Sequence, residues 1–272
     1  MTCWPCRQAT KLFALLLCPL FLTNAWAEAP ARPAKLEWGL GLVGLSIADY
    51  IGSPERQNRV VPLPYIKYRG DFLYIDEGIE GRLFKSPDLL LGISGNGSLP
   101  TPDDNPKRAG MQQLDATFEL GPSLEYRLWH DPASEVWLEL PLRFAFRVNS
   151  GFDSIGGTIN PRLSWRKPSL GKYDWKLSID GGLIFADQDF HGYFYDVAAD
   201  EVTSGRPLFT ADSGYSGFRS TFTYSRRFGR LWFGGFLRYD NLRHGEIEPS
   251  PLVDKSDSLS AGLGLAWVIS ER

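Results

Sequence analysis

Hydrophobic residues in this chain recur at every second position over long stretches, the spacing that sends alternate side chains to opposite faces of an extended strand. From Phe118 to Leu128 the even positions are Phe, Leu, Pro, Leu, Tyr and Leu, while Glu119, Gly121, Ser123, Glu125 and Arg127 stand between them. After a turn at His130-Asp131-Pro132-Ala133, Val136, Leu138, Leu140, Leu142, Phe144, Phe146 and Val148 share one face, with Glu139, Arg143, Ala145 and Arg147 on the other. The alternation returns in Ile159, Leu163 and Trp165 against Asn160, Arg162 and Arg166, and in Trp175, Leu177, Ile179, Leu183 and Phe185 against Lys176, Ser178 and Asp180. The last segment sets Leu259, Ala261, Leu263, Leu265, Trp267 and Ile269 against Ser260, Gly262 and Gly264.

Strands in soluble sheets usually run about five or six residues. These run longer, to the roughly ten residues that cross a bilayer at a tilt of about 45°. The apolar face is therefore expected to meet lipid and the charged face a lumen. Trp129, Trp165, Trp175, Phe228, Trp232, Tyr239 and Trp267 fall near strand ends, where interfacial aromatic girdles sit. The pattern predicts eleven strands, at 36–47, 62–69, 72–84, 89–96, 116–129, 134–148, 158–166, 175–185, 217–228, 231–240 and 258–269. A bacterial barrel needs an even number. The segment 72–84, with Asp76-Glu77-Gly78 inside it, is expected to fold into two short strands. The fold class expected is thus all-β, a transmembrane antiparallel barrel of about twelve strands, within a range of roughly ten to fourteen. Connections at 85–88, 130–133, 167–174 and 229–230 predict periplasmic turns, and those at 95–115, 149–157, 186–216 and 240–257 predict surface loops.

Ahead of the first strand, Arg7 and Lys11 precede the apolar run Leu12 to Leu22 and the small-residue signal Ala25-Trp26-Ala27. This is the layout of a secretory signal peptide cut after Ala27. Residues 1–27 are expected to be removed, 28–35 to form a short periplasmic segment and 36–272 to form the barrel. A lipoprotein signal acylated at Cys18 is the competing reading, but Leu17 stands where a small residue is needed. Cys3, Cys6 and Cys18 are the three cysteines, all within the segment expected to leave. A closed hydrogen-bonded sheet must then hold the exported chain together without disulfides. The net charge of −3 offers nothing to nucleic acid. The expected location is the outer membrane of a Gram-negative cell.

Candidate chemistry is sparse. A serine nucleophile needs a histidine within hydrogen-bond reach. The three histidines, His130, His191 and His244, fall in a turn and two long loops with no closely patterned serine, and are expected to be solvated. The chain is therefore expected not to be an enzyme. No cysteine and histidine set has metal-ligand spacing, and Asp103-Asp104 and Asp187/Asp189 lack the spacing of a calcium loop. Gly39, Gly41 and Gly44 lie within a strand, where small residues relieve crowding. No cofactor and no metal are expected. The inward charges Glu119, Glu125, Arg127, Glu139, Arg143, Arg147, Arg162 and Arg166 admit two readings: an ion-pair network that leaves little open channel, or a selectivity lining.

At Asp49-Tyr50-Ile51-Gly52-Ser53, followed by Pro62-Leu63-Pro64, Tyr65 and Tyr68-Arg69-Gly70-Asp71, the sequence resembles the MipA/OmpV family of outer-membrane proteins. Ser250-Pro251-Leu252-Val253-Asp254-Lys255-Ser256 resembles that family's C-terminal region, and Tyr193-Phe194-Tyr195-Asp196-Val197 its aromatic loop. The resemblance implies a barrel that acts through contacts, since the namesake is a scaffold joining a lytic transglycosylase to a bifunctional murein synthase. Other members are adhesins, antigens or porin-like proteins, so the family alone does not fix the role. Asp49, Tyr50, Gly52, Ser53, Pro251 and Asp254 are the positions it singles out. Either Gly52, Ser53 and Pro54 shape a turn after the first strand, or Tyr50 and Ile51 form an exposed patch for a partner. Such barrels usually end in an aromatic residue, whereas this chain ends Ile269-Ser270-Glu271-Arg272. Trp267 or Ile269 is then expected to act as an internal assembly signal, or assembly is less efficient. The function expected is a non-enzymatic scaffold for peptidoglycan-remodelling enzymes. Its partners would be outer-membrane lipid, a murein hydrolase and a murein synthase, and no nucleic acid. The alternative is a narrow porin-like channel for ions or small solutes.

Overall fold

The structure, a computed structural model, describes residues 35–75, 79–148, 151–170 and 175–272. The expected signal peptide and nearly all of the 28–35 segment lie outside the described residues. The strands are β1 (Lys35–Ala48), β2 (Arg56–Arg69), β3 (Leu73–Ile75), β4 (Ile79–Lys85), β5 (Leu89–Ser98), β6 (Ala116–His130) and β7 (Glu135–Val148). They continue as β8 (Phe152–Ile159), β9 (Arg162–Leu170), β10 (Trp175–Ala186), β11 (Gly214–Phe228), β12 (Leu231–Asn241) and β13 (Asp257–Glu271). One helix, α1 (Gln188–Tyr195), stands between β10 and β11.

Apart from β8 and β9, consecutive strands pair antiparallel, and β13 pairs with β1 to close the ring. β8 and β9 share one place in it, because both pair with β7 and with β10. The thirteen strands therefore fill twelve positions. The break falls at Asn160-Pro161, where proline has no N–H to give the ladder. Neighbouring groups repair it: Asn160 N–H donates to Pro141 O (3.2 Å), Asn160 Nδ2 to Leu183 O (2.6 Å) and Leu183 N–H to Pro161 O (3.1 Å).

The period-two pattern sets the faces as expected. Along β6, Thr117, Glu119, Gly121, Ser123 and Glu125 are buried while the residues between them are exposed, and β13 alternates in the same way. Segment 72–84 is split into β3 and β4. The expected strand 158–166 is not one strand, because Pro161 breaks the ladder: Thr158 and Ile159 end β8, and β9 runs from Arg162 to Leu170, into the expected turn 167–174. Two further boundaries are corrected. β2 begins at Arg56, six residues before the expected start, because Arg56-Gln57-Asn58-Arg59 carries no apolar alternation. Most of 149–157, expected as a surface loop, is the outer part of β8, whose Asp153, Ser154, Gly156 and Gly157 give no hydrophobic signal.

Short turns gather at one end of the barrel, and 49–55, 99–115, 187–213 and 242–256 at the other. By the rule for such barrels the short-turn end faces the periplasm. The turn after β6 is held by Asp131, whose Oδ1 accepts from Ala133 N–H and Ser134 N–H, both at 2.6 Å. Those two bonds hold its carboxyl below the usual carboxylate range.

Leu142 faces outward and Arg143 inward on β7. Leu142→Arg is expected to cost about 2–4 kcal/mol of folding free energy in liposomes. Arg143→Leu should cost less, with urea-dependent gel mobility of unheated samples as the readout. The reverse ranking would put the register one residue off.

Candidate functional site

The long loops at the outer end fold together into a cap with its own apolar core. Tyr50, Leu114, Tyr195, Val197, Ala211, Leu242, Ile247 and Leu252 are all buried in it. Tyr50 Oη–H donates to Leu252 O (2.8 Å) and packs edge-on against Tyr195, with ring centroids 6.2 Å apart. Tyr195 Oη–H donates to Ile51 O (2.9 Å), and Ser250 Oγ–H to Tyr195 O (2.7 Å). Gly52 sits at φ +98°, a conformation that favours glycine, and its carbonyl accepts from the Asp254 and Lys255 N–H groups. Asn105 Nδ2 reaches both Asp49 Oδ2 (2.7 Å) and Ser53 Oγ (3.2 Å), and Lys107 Nζ pairs with Asp254 Oδ1 (2.6 Å). The motif positions Asp49, Tyr50, Gly52, Ser53 and Asp254 are thus brought together, with Pro251 beside Leu252. The patch reading is corrected: Tyr50 is buried, and Ile51 packs on the same core.

Helix α1 forms part of the cap. Asp187 caps its first turn, its Oδ1 accepting from Phe190 N–H (2.9 Å). His191 is also corrected, being fully buried rather than solvated. Its Nδ1 lies 2.6 Å from Asp212 O and its Nε2 2.6 Å from Ser216 Oγ. This pair was hidden in the sequence because helix and strand are joined by a loop with no periodicity. With both ring nitrogens engaged, His191 pins α1 to the start of β11. Among the described residues no cluster of three His, Cys, Asp or Glu could hold a metal ion.

Under the cap lies a cavity of about 580 Å³ in the outer half of the lumen. Phe190, Phe194, Tyr195, Phe218 and Phe236 give it an aromatic lining, and Glu119, Arg143, Arg219, Arg238 and Asp240 a charged floor. Asp240 is taken by Arg219 (2.5 Å). Glu119 accepts from Asn96 Nδ2 (2.9 Å) and Thr158 Oγ1 (3.1 Å). Arg143 donates from Nε to Ser94 Oγ (3.1 Å), and among the described residues it has no carboxylate within 4 Å. Arg238 has neither an ion pair nor a hydrogen bond among them; its Cζ lies 5.6 Å from the Phe236 ring. The floor therefore holds two guanidinium groups without a contacting counter-charge.

The periplasmic half holds an aromatic pair and an ion-pair cluster. Tyr65 and Trp232 pack at 5.6 Å between ring centroids beside Ala266 and Val268. Buried Glu139 takes Arg162 (2.5 Å) and Arg166, and Arg166 also reaches Glu125 (2.8 Å). Near the rim Glu37 binds Arg69 (3.0 Å) and Arg227 (2.6 Å). Of the eight inward charges expected from sequence, Glu125, Glu139, Arg162 and Arg166 meet in one cluster, while Glu119 and Arg143 reach the cavity floor. The other two are apart: Arg127 pairs with Asp88 (2.7 Å) at the periplasmic rim and Arg147 with Asp153 (2.9 Å) near the outer end. Arg219, Arg238 and Asp240 were missed, although Arg238 and Asp240 alternate with Leu237 and Tyr239.

A family profile described as MltA-interacting protein MipA matches residues 40–269. The outer membrane protein YiaT of Escherichia coli O157:H7 is 24% identical over 245 residues, 88% of this chain and 93% of that protein. Among solved structures, an outer membrane channel of Pseudomonas putida F1 is similar with a TM-score of 0.38 and 12% identity, over 89% of this chain and 98% of its own. The outer membrane channel DcaP of Acinetobacter baumannii gives 0.34 and 7%, over 87% and 97%.

The cap tyrosines make its integrity depend on pH. Burial pushes the Tyr50 phenol up to about 12, and burial raises Tyr195 as well. The folded cap holds the neutral phenols, so their contribution is complete below the ordinary value of 10.0 and is lost as pH rises towards about 12. Absorbance titration should show these two ionising after the exposed tyrosines. Tyr50→Phe should delete one late step and cost about 1 kcal/mol for the lost bond.

Proposed function

Because this chain belongs to the family of the MltA-interacting protein MipA, we propose that it is a non-enzymatic outer-membrane barrel acting as a scaffold for a lytic transglycosylase and a murein synthase. The observation that supports this reading is the Tyr65–Trp232 pair and the Glu139–Arg162–Arg166 cluster, which narrow the periplasmic half of the lumen. Contact with murein enzymes has to be made from the periplasmic side. That side offers the charged turns Lys85-Ser86-Pro87-Asp88 and His130-Asp131-Pro132, together with residues 28–35 once a signal peptide over 1–27 is removed. The family-motif residues Asp49, Tyr50, Gly52, Ser53, Pro251 and Asp254 serve the cap at the opposite end, so their part in this reading is to stabilise the barrel and not to touch the enzymes.

A narrow channel is the second reading, favoured by the cavity and by Arg143 and Arg238, which have no contacting carboxylate among the described residues. The two separate in one preparation. The detergent-purified barrel should capture a lytic transglycosylase or a murein synthase, and deleting 28–35 while reversing charge at Lys85 and Asp88 should abolish capture. Capture of neither enzyme, together with steady single-channel current, would replace the scaffold with the channel.

A further inference from the structure

Among the described residues, one stretch of the barrel wall has no ladder closing it. β1 and β2 pair without interruption from Lys35↔Arg69 to Ala48↔Arg56, yet the other edge of β2 meets only β3, through Tyr68↔Ile75 and Arg69↔Tyr74. β3 and β4 form a short hairpin paired at Leu73↔Gly81, and β4 reaches along β5 only as far as Ser94. Above the hairpin, Asn58 to Pro64 of β2 has no ladder partner on that side among the described residues. The gap is bounded above by Gln57, whose Nε2 donates to Pro100 O (3.1 Å), and across by the end of β5.

The sequence itself marks this edge. Leu36 exchanges both backbone bonds with Arg272, so even residues of β1 face β13 and odd ones face β2. In the β1–β2 register, the odd residues of β2 then bond to β1 while the even ones point into the gap. Those even positions include Pro62 and Pro64. Proline is tolerated in a sheet where its missing N–H falls on an open edge, and here both do. The same two prolines blunt the edge against an added strand from another protein.

The gap lies in the apolar band. Pro62 is level with Leu42 and Leu265, and Val60 with Gly44 and Leu263, while Val60 itself is 73% exposed. Unpaired carbonyls cannot face hydrocarbon cheaply and persist only where they line a polar space. The neighbouring inward residues of β5 supply one, since Ser94, Asn96 and Ser98 bind Arg143, Glu119 and Thr117, and Asn96, Gly97 and Ser98 also line the cavity.

We propose that the opening between β2 and β5 is a lateral port, through which an amphiphile with an anionic head and an apolar tail passes from the outer-leaflet hydrocarbon into the cavity. Arg238 and Arg143 receive the head, and Phe190, Phe194, Phe218 and Phe236 pack on the tail. The source is the membrane and not the external water, because the folded cap covers the cavity from outside. The site is independent of the scaffold reading, whose test concerns the opposite end of the barrel.

The test uses the full exported chain in phosphatidylcholine nanodiscs with a long-chain fatty acid carrying a photoreactive diazirine in its tail, and peptide mapping of the adducts. Labelling is expected on Phe190, Phe194, Phe218 or Phe236. It should fall about tenfold with the matching fatty alcohol and with Arg238→Gln, as expected for loss of a charge-assisted contact. Val61→Trp and Leu63→Trp, made separately on the inward side of the β2 edge, should each suppress cavity labelling while leaving labelling of outward Leu263 unchanged. At least one of them need only retain the mobility shift of an unheated barrel. Label confined to outward residues in the unaltered protein would overturn the proposal. So would cavity labelling that a folded tryptophan variant leaves intact, or equal labelling by acid and alcohol.

Discussion

A peptide group in hydrocarbon has no water to bond, so every N–H and C=O at membrane depth must find its partner within the protein. The rest of this structure depends on that one constraint. It explains why the ring closes between β1 and β13, and why the proline break between β8 and β9 is surrounded by bonds from Asn160 and Leu183. It also gives the gap beside β2 its meaning. Where an edge stays open at that depth, the groups along it have to be removed or turned towards a polar interior. Pro62 and Pro64 do the first and the β5 side of the cavity provides the second.

The same constraint inverts the usual place of the core. Leucines that would fill a soluble protein lie on the outside, with Leu40, Leu42, Leu142 and Leu265 all exposed. Apolar packing is left to two places: the loop cap, and the small Tyr65–Trp232 cluster in the lumen. Between them the interior is polar and must satisfy itself. Glu139, almost wholly buried, does so through two arginines that keep contact with water. Removing it would take the carboxylate from Arg162, while Arg166 would keep Glu125.

This division decided what was legible in the sequence. Alternation revealed the strands that have lipid on one side, and with them the inward positions of Glu119, Glu139, Arg143 and Arg166. It was silent at Arg56–Arg59 and over Asp153–Gly157, where a strand has little apolar surface to present. The cap was invisible for a different reason. Its contacts join Asp49–Ser53, Asn105, Tyr195 and Leu252, which are distant in sequence and share no period. His191 and Ser216 met for the same reason, through a loop that carries no pattern. The resemblance singled out Asp49, Tyr50, Gly52, Ser53, Pro251 and Asp254 without saying that they gather in one cap.

The bond from Tyr50 to Leu252 joins residues 202 positions apart, and the loops that carry them flank the first and last strands. Neither loop can meet the other until β13 has docked on β1, because the two strands bring them side by side. The β1–β13 pairing must therefore be in place before this one bond forms, whereas the bonds from Asn105 to Asp49 and from Tyr195 to Ile51 do not cross that seam. The Tyr50–Leu252 bond is thus a clasp across the seam, joining the two ends of the barrel's strand order above the membrane.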